Sequence, residues 1–355
     1  MSTESPAGKR LISLDAFRGF TMFWLMGGHG FVLALARLAG GPVAGTAAYE
    51  LDHSVWEGLR FYDLIWPSFM LMVGVSVAFS HARHRDMGRV WKRVAVLFLL
   101  GSLRESMSDG VPRLVELSSA LQPIALAYLV SVYVARWSVR AQAALAVGIL
   151  AGYALLLALV PAPGIPAGTY VPNHNLVTAV DQWVLGRAHK DGWGTVLSTI
   201  PTVSTTLLGL LFGRLLMSGA APRFCARVIA ATGLGCLLAG LALSPVVPVV
   251  MKLWTTSYGL MSAGWACLAF ALFYWVIDVR GYRRWTLPLC VIGVNALAAY
   301  LGPSIVPVHR IAGVFTRPLA QGMGAFGPLL TTGAVLAVNW CILAWMYRRK
   351  IFLRA

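Results

Sequence analysis

Long apolar stretches recur along this chain of 355 residues with almost no charge inside them, and the stretch 143–160 carries none at all. A helix needs about 20 mostly apolar residues to cross a bilayer, where every backbone polar group has to be satisfied within the helix itself. Only 12% of the residues are charged, against about 25% in an ordinary soluble domain. A cytosolic enzyme is excluded, and the expected class is an all-α polytopic membrane protein.

Hydropathy places about ten transmembrane helices, at 16–38, 60–81, 90–107, 117–135, 140–160, 197–216, 225–247, 255–278, 285–306 and 325–347. An even number puts both termini on one side. Nine of the 29 Lys and Arg residues (Arg37, Arg60, Arg104, Arg113, Arg187, Lys190, Lys252, Arg310 and Arg317) then face the opposite side, and the other 20 share the side of the termini. The positive-inside rule makes that side cytoplasmic. Most of the net charge of +16 is then topogenic, and no nucleic-acid partner is needed to explain it. The chain is read as a single transmembrane domain over 1–355, with short cytoplasmic tails 1–12 and 348–355 and an outer loop 161–196. Its expected location is the inner (cytoplasmic) membrane, as a multi-pass protein in contact with the lipid bilayer.

Lys9-Arg10 before an apolar stretch imitates a signal peptide, but Asp15 and Arg18 interrupt that stretch, so a retained first helix is expected. In the outer loop, Pro161, Pro163, Pro166 and Pro172 give way to a mixed pattern over 175–185 that predicts a short interfacial helix. Cys225, Cys236, Cys267, Cys290 and Cys341 fall in or beside apolar runs without C-x-x-C spacing and read as inert. The short polar segments leave the oligomeric state open, a homodimer included.

Ionisable groups inside spans are costly and tend to mark sites. At 100° per residue, Arg18 lies about 60° and His29 about 40° from Asp15, so in a continuous helix the three form one stripe rising roughly 21 Å. The plainer alternative is an Asp15–Arg18 ion pair plus a buried histidine. A second cluster opens the next span: if helical, His53, Trp56, Glu57 and Arg60 recur at i, i+3, i+4 and i+7, with Asp63 next along. An imidazole beside a carboxylate, Asp52 or Glu57, suits general-base chemistry. An anchoring belt of aromatic and charged groups is the competing account.

Lys252, Trp254, Thr255, Thr256 and Ser257 head a later span, Asn295 lies inside another and His309 beyond it. Gly27, Gly28 and Gly30 around His29 read as helix-packing positions. No metal site is expected: His81-x-x-His84 has only Asp86 as a nearby acid. No P-loop or nucleophile-elbow motif is present.

The opening from Arg10 through Asp15, Phe17-Arg18-Gly19 and on to Trp24 resembles the start of the heparan-α-glucosaminide N-acetyltransferase family and its bacterial relatives. His53-x-x-Trp56-x-Gly58, Asp63-Leu-Ile-Trp-Pro67 and Gly74-Val-Ser follow in the family's order. So do Gly194 to Pro201 with Gly209 and Gly213, Lys252-Leu-Trp254-Thr255-Thr-Ser257, Tyr274 to Asp278, and Gly293-Val-Asn295. One departure is Leu121-Gln122-Pro123, where the family usually has leucine-glutamine-arginine. No large lumenal N-terminal domain is expected.

The resemblance implies a transmembrane acyltransferase that moves an acetyl group from cytoplasmic acetyl-CoA, a co-substrate, to an amino sugar or glycan acceptor on the far side, with no metal. The family's active-site histidine falls on His53, and the asparagine in the first span of its lysosomal member falls on His29. Catalytic roles are thereby expected for His53, His29 and Asp52. Substrate contacts are expected at Asp15, Arg18, Trp56, Glu57, Asp63, Lys252, Trp254 and Asn295. Basic residues of the inner rim, Arg18, Arg83, Arg85, Arg280, Arg283 and Arg284, are candidates for the phosphates of CoA. The alternative from another class is a proton-coupled secondary transporter with Asp15, His29, His53 and Asp63 as relay, although no inverted repeat is detectable.

Overall fold

The computed structural model describes residues 11–81, 86–117, 120–189 and 191–353. Lys9, Arg10, Arg83, His84, Arg85, Lys190 and Arg354 lie outside the described residues. In chain order the helices are α1 (Ile12–Phe23), α2 (His29–Ala39), α3 (Gly41–Glu50), α4 (Ile65–His81), α5 (Met87–Asp109), α6 (Leu121–Val134), α7 (Val139–Leu159), α8 (Leu176–Leu185), α9 (Thr199–Met217), α10 (Pro222–Leu243), α11 (Thr256–Tyr274), α12 (Leu287–Val294), α13 (Ala296–Ile305), α14 (Val308–Gln321) and α15 (Gly327–Arg348). Strands β1 (Tyr170–Val171) and β2 (His174–Asn175) pair as a small antiparallel hairpin between α7 and α8.

Among the described residues, seven helical stretches are long and apolar enough to cross a membrane: Ile12–Ala39, Phe61–Ser80, Val139–Leu159, Thr199–Met217, Pro222–Leu243, Thr256–Val279 and Gly324–Arg348. The pair Arg284–Val294 and Ala296–Ile305, bent by 60°, makes an eighth if it counts as one span. The polytopic class therefore holds, while the expected ten spans reduce to seven or eight. α5 occupies the expected span 90–107 but carries Arg89, Lys92, Arg93, Arg104 and Glu105. α6 has only 14 residues, a rise of roughly 21 Å against about 30 Å of hydrocarbon.

The late start of α6 has a local cause. The fully buried Gln122 accepts the backbone N–H groups of Glu116 and Leu117 at 2.9 and 2.7 Å, and its amide donates to Leu114 O and Ser102 Oγ, both at 2.9 Å. One side chain thus satisfies the irregular backbone ahead of the helix, which is the condition for such backbone to persist in an apolar setting.

Contacts divide the chain into two compact units. One comprises Ser54–Leu59 and Trp66–Leu272. There α4 and α9 meet backbone to backbone at Gly74 and Thr206, and Ser204 Oγ on α9 donates to Ala146 O on α7 at 2.9 Å. Tyr153, Leu157, Val177, Val250 and Leu253 form a buried apolar cluster that carries the segment 161–196. The predicted interfacial helix is α8, with Asn175 as its N-cap accepting from Thr178 N at 2.9 Å. Asp181 on α8 is buried and accepts the N–H groups of Thr195 and Val196, each at 2.9 Å. Burial pushes its carboxyl above the usual range, a shift that these bonds partly offset.

The second unit comprises Leu11–His53, Arg60–Ile65 and 273–353. Its centre is the contact of α1 with α12, where a Cβ on Gly19 would lie 1.8 Å from Leu289 O and one on Gly293 1.9 Å from Asp15 O. Asp278 caps α1 by accepting Ser13 N–H at 3.2 Å, a carboxylate at the positive end of a helix. Asn339 on α15 donates to Met26 O at 3.0 Å. The connection 307–323, between the last two expected spans, is mostly α14.

Candidate functional site

The sequence placed His53, Trp56, Glu57 and Arg60 on one helical face, but residues 51–60 are not helical. Gly58 N–H bonds Val249 O at 2.8 Å and Glu57 bridges Val250, so this stretch is tied down as extended backbone. The chain turns helical only at the short 3₁₀ segment Phe61–Leu64, which continues into α4. Within the second unit this brings Asp63 back onto His53.

His53 Nδ1 lies 2.8 Å from Asp63 Oδ1. The other oxygen of Asp63, Oδ2, accepts Arg60 N–H at 3.0 Å, and the carboxylate is wholly buried. A carboxylate only accepts, so Nδ1 carries a proton, and in the neutral ring the lone pair is on Nε2. The His53 side chain keeps 38% exposure. The acid on the ring is therefore Asp63 rather than Asp52 or Glu57. Asp52 Oδ1 instead accepts the backbone N–H of His53 at 2.8 Å.

His29 has the same polarity for a different reason. Trp24–Gly28 is a π-turn with Gly27 at φ 128°, a conformation that needs glycine. His29 Nδ1 donates to Trp24 O at 2.9 Å, so in the neutral ring its Nε2 is also the basic nitrogen. The same turn breaks the helical phase between Arg18 and His29, and the stripe expected from continuous 100° steps does not survive it. Gly27 sets backbone geometry and is not a packing position.

Tyr62 was not singled out by the sequence, yet its ring contacts both histidines, with centroids 4.8 Å from His53 and 5.6 Å from His29. Its signal in the sequence was its position next to Asp63. The segment carrying it is held by Glu50, which accepts Phe61 N–H at 2.8 Å, and by Arg60, which stacks over Tyr49 at 4.1 Å.

Other expected site residues of this unit have structural partners. Asp15 is buried and faces Arg18 at 3.7 Å. Asn295 is wholly buried at the break between α12 and α13, donating to Ile351 O at 3.1 Å and accepting Leu353 N–H at 3.2 Å. Its amide pins the C-terminal segment. Asn295→Ala should accordingly loosen residues 351–353, read as faster proteolysis there, while kcat falls less than the about 10²–10³-fold expected for a lost oxyanion donor. Of the candidate phosphate ligands, Arg18, Arg280, Arg283 and Arg284 are described in this unit, with Arg283 3.9 Å from Asp278.

The remaining expected residues lie in the first unit. Trp56 donates its indole N–H to Tyr170 O at 2.8 Å and packs on the apolar cluster, and Glu57 is exposed. Lys252 Nζ bonds Asp191 O at 3.0 Å. Trp254 is 1% exposed at φ 49°, packed edge-on against Trp66 at 5.0 Å and Tyr258 at 5.4 Å. A bulky residue at positive φ marks stored strain. Thr255 and Ser257 donate to Pro248 O at 2.7 and 2.8 Å, and Thr256 to Leu150 O at 2.8 Å. Among the described residues no group of three or more His, Cys, Asp or Glu could hold a metal ion.

Comparison with known proteins converges on one family. Residues 10–244 match the model for the catalytic region of heparan-alpha-glucosaminide N-acetyltransferase. The human heparan-alpha-glucosaminide N-acetyltransferase is 24% identical over 418 aligned residues, which cover 97% of this chain and 59% of the human protein. His29, Asp52, His53, Tyr62 and Asp63 lie inside the matched family segment, and Lys252, Trp254 and Asn295 lie beyond it.

Proposed function

This chain belongs to the heparan-alpha-glucosaminide N-acetyltransferase catalytic family, and from that premise we propose that it is a membrane acetyltransferase with His53 at its reacting centre. The donor is acetyl-CoA taken from the cytoplasmic side. The acceptor is an amino sugar or a related glycan on the other side. The observation that carries the reading is the His53–Asp63 pair, which holds a basic Nε2 on a partly exposed imidazole.

In direct transfer, the acceptor amine attacks the thioester carbonyl carbon while Nε2 takes its proton. The C–S bond then breaks and the imidazolium returns that proton to the CoA thiolate, giving the acetylated amine and free CoA. In the covalent route Nε2 itself attacks, the C–S bond breaks to release CoA as its thiolate, and the amine then displaces the acetyl group from the ring, its proton passing to Nε2 and from there to the thiolate or water. Either way Asp63 keeps the tautomer and stabilises the positive imidazole that forms. His29, with a second basic Nε2 in the neutral ring, is assigned to accepting a hydrogen bond from the acceptor. Arg18, Arg280, Arg283 and Arg284 supply charge for the phosphates of CoA.

The test uses purified full-length protein and acetyl-labelled CoA with glucosamine. Label should pass to the sugar, and His53→Ala should reduce transfer by about 10²–10⁴-fold. Full transfer by His53→Ala would remove His53 from the site. Label retained on His53 after acid quenching would select the covalent route.

A further inference from the structure

The helix α14 is only partly covered by the rest of its unit. Val308, Ala312, Gly313 and Thr316 are buried, and the helix packs on α15. Ile311, Val314, Phe315 and Leu319 remain 48%, 70%, 74% and 64% exposed. At 100° per residue these four fall within an arc of about 140°. Arg310 and Arg317 lie within about 20° of each other on the border of that arc. Both are exposed, and among the described residues neither guanidinium makes an ion pair.

With 14 residues the helix rises only roughly 21 Å, too short to cross a bilayer. Its ends are nevertheless tied to membrane helices, the bent α12–α13 pair before it and α15 after it. Four large apolar side chains in water beside two membrane helices would be costly. We infer that α14 lies in the plane of the membrane interface, with Ile311, Val314, Phe315 and Leu319 among acyl chains and Arg310 and Arg317 at anionic phospholipid headgroups. An apolar face with a basic flank is the arrangement that binds such an interface. The charge on that flank selects anionic over zwitterionic lipid.

The experiment places a bimane label at position 315 through Phe315→Cys in full-length protein. The unsubstituted chain is labelled in parallel to subtract the exposed Cys341. The protein is reconstituted in vesicles of brominated phosphatidylcholine or brominated phosphatidylglycerol. Brominated lipid should quench the label where aqueous iodide does not, and the phosphatidylglycerol should be preferred. Arg310→Gln and Arg317→Gln should each lower that preference by about 5-fold. Iodide quenching without lipid quenching overturns the interfacial placement, and so does a 315–315 cross-link between two copies. Equal quenching by both lipids overturns the headgroup assignment.

Discussion

Asp63→Asn is expected to reduce acetyl transfer by about 10²–10⁴-fold while the protein still folds. The carboxylate accepts on both oxygens, one from His53 Nδ1–H and one from Arg60 N–H. An asparagine has one oxygen for these two donors. If that oxygen serves Arg60, the amide N–H₂ faces His53 Nδ1, the ring proton moves to Nε2 and the base is lost. If it serves His53, two N–H donors confront each other at Arg60, inside a site where Asp63 is wholly buried. Steady-state kinetics on Asp63→Asn beside Asp52→Asn would check this. Among the described residues Asp52 bonds a backbone N–H, so its variant should stay within a few-fold of the unsubstituted enzyme. Equal losses in the two variants would undo the assignment of Asp63 as the group that orients His53.

The second large effect concerns folding. Gly19→Ala or Gly293→Ala puts a methyl group 1.8 Å from Leu289 O or 1.9 Å from Asp15 O. The obstructing atoms belong to the backbone of helices held along their length, so neither can swing aside. The helices must separate, with a cost of about 1–3 kcal/mol or more for each substitution. Because α1 leads through the π-turn to His29, activity should fall together with thermal stability in detergent. Gly30→Ala is the control, since its methyl would meet Thr332 Cγ2 at 3.6 Å, an ordinary contact. If Gly19→Ala and Gly30→Ala melt alike, the close α1–α12 contact does not govern the stability of this unit.

Much of the architecture was legible in the sequence. Each of the ten expected spans corresponds to a helix or a bent pair of helices, because apolar runs of that length have few other stable forms. Seven or eight of them are long and apolar enough to cross a membrane among the described residues; the charges of α5 and the short α6 escape an average over neighbouring residues. The site was legible in part. His53 stood out as an ionisable group ahead of an apolar run and by its place in an ordered set of family motifs. Its partner did not stand out, because Asp63 meets His53 only if the residues between them leave the helix. Tyr62 carried no signal of its own, and nothing in the sequence showed that the amide of Asn295 bonds residues 351 and 353.

From its sequence alone this chain was already a polytopic membrane protein of an acetyl-transferring family with His53 as the residue to watch. Hydropathy and motif order are properties of the linear chain, and no folding is needed to read them. Tertiary structure decided which carboxylate orients His53, where the helical phase breaks ahead of His29, and that α14 is an amphipathic helix. Those outcomes depend on backbone bonds such as Gly58 to Val249 and on single dihedrals such as that of Gly27. A shift of one residue in either would turn the same side chains toward different partners.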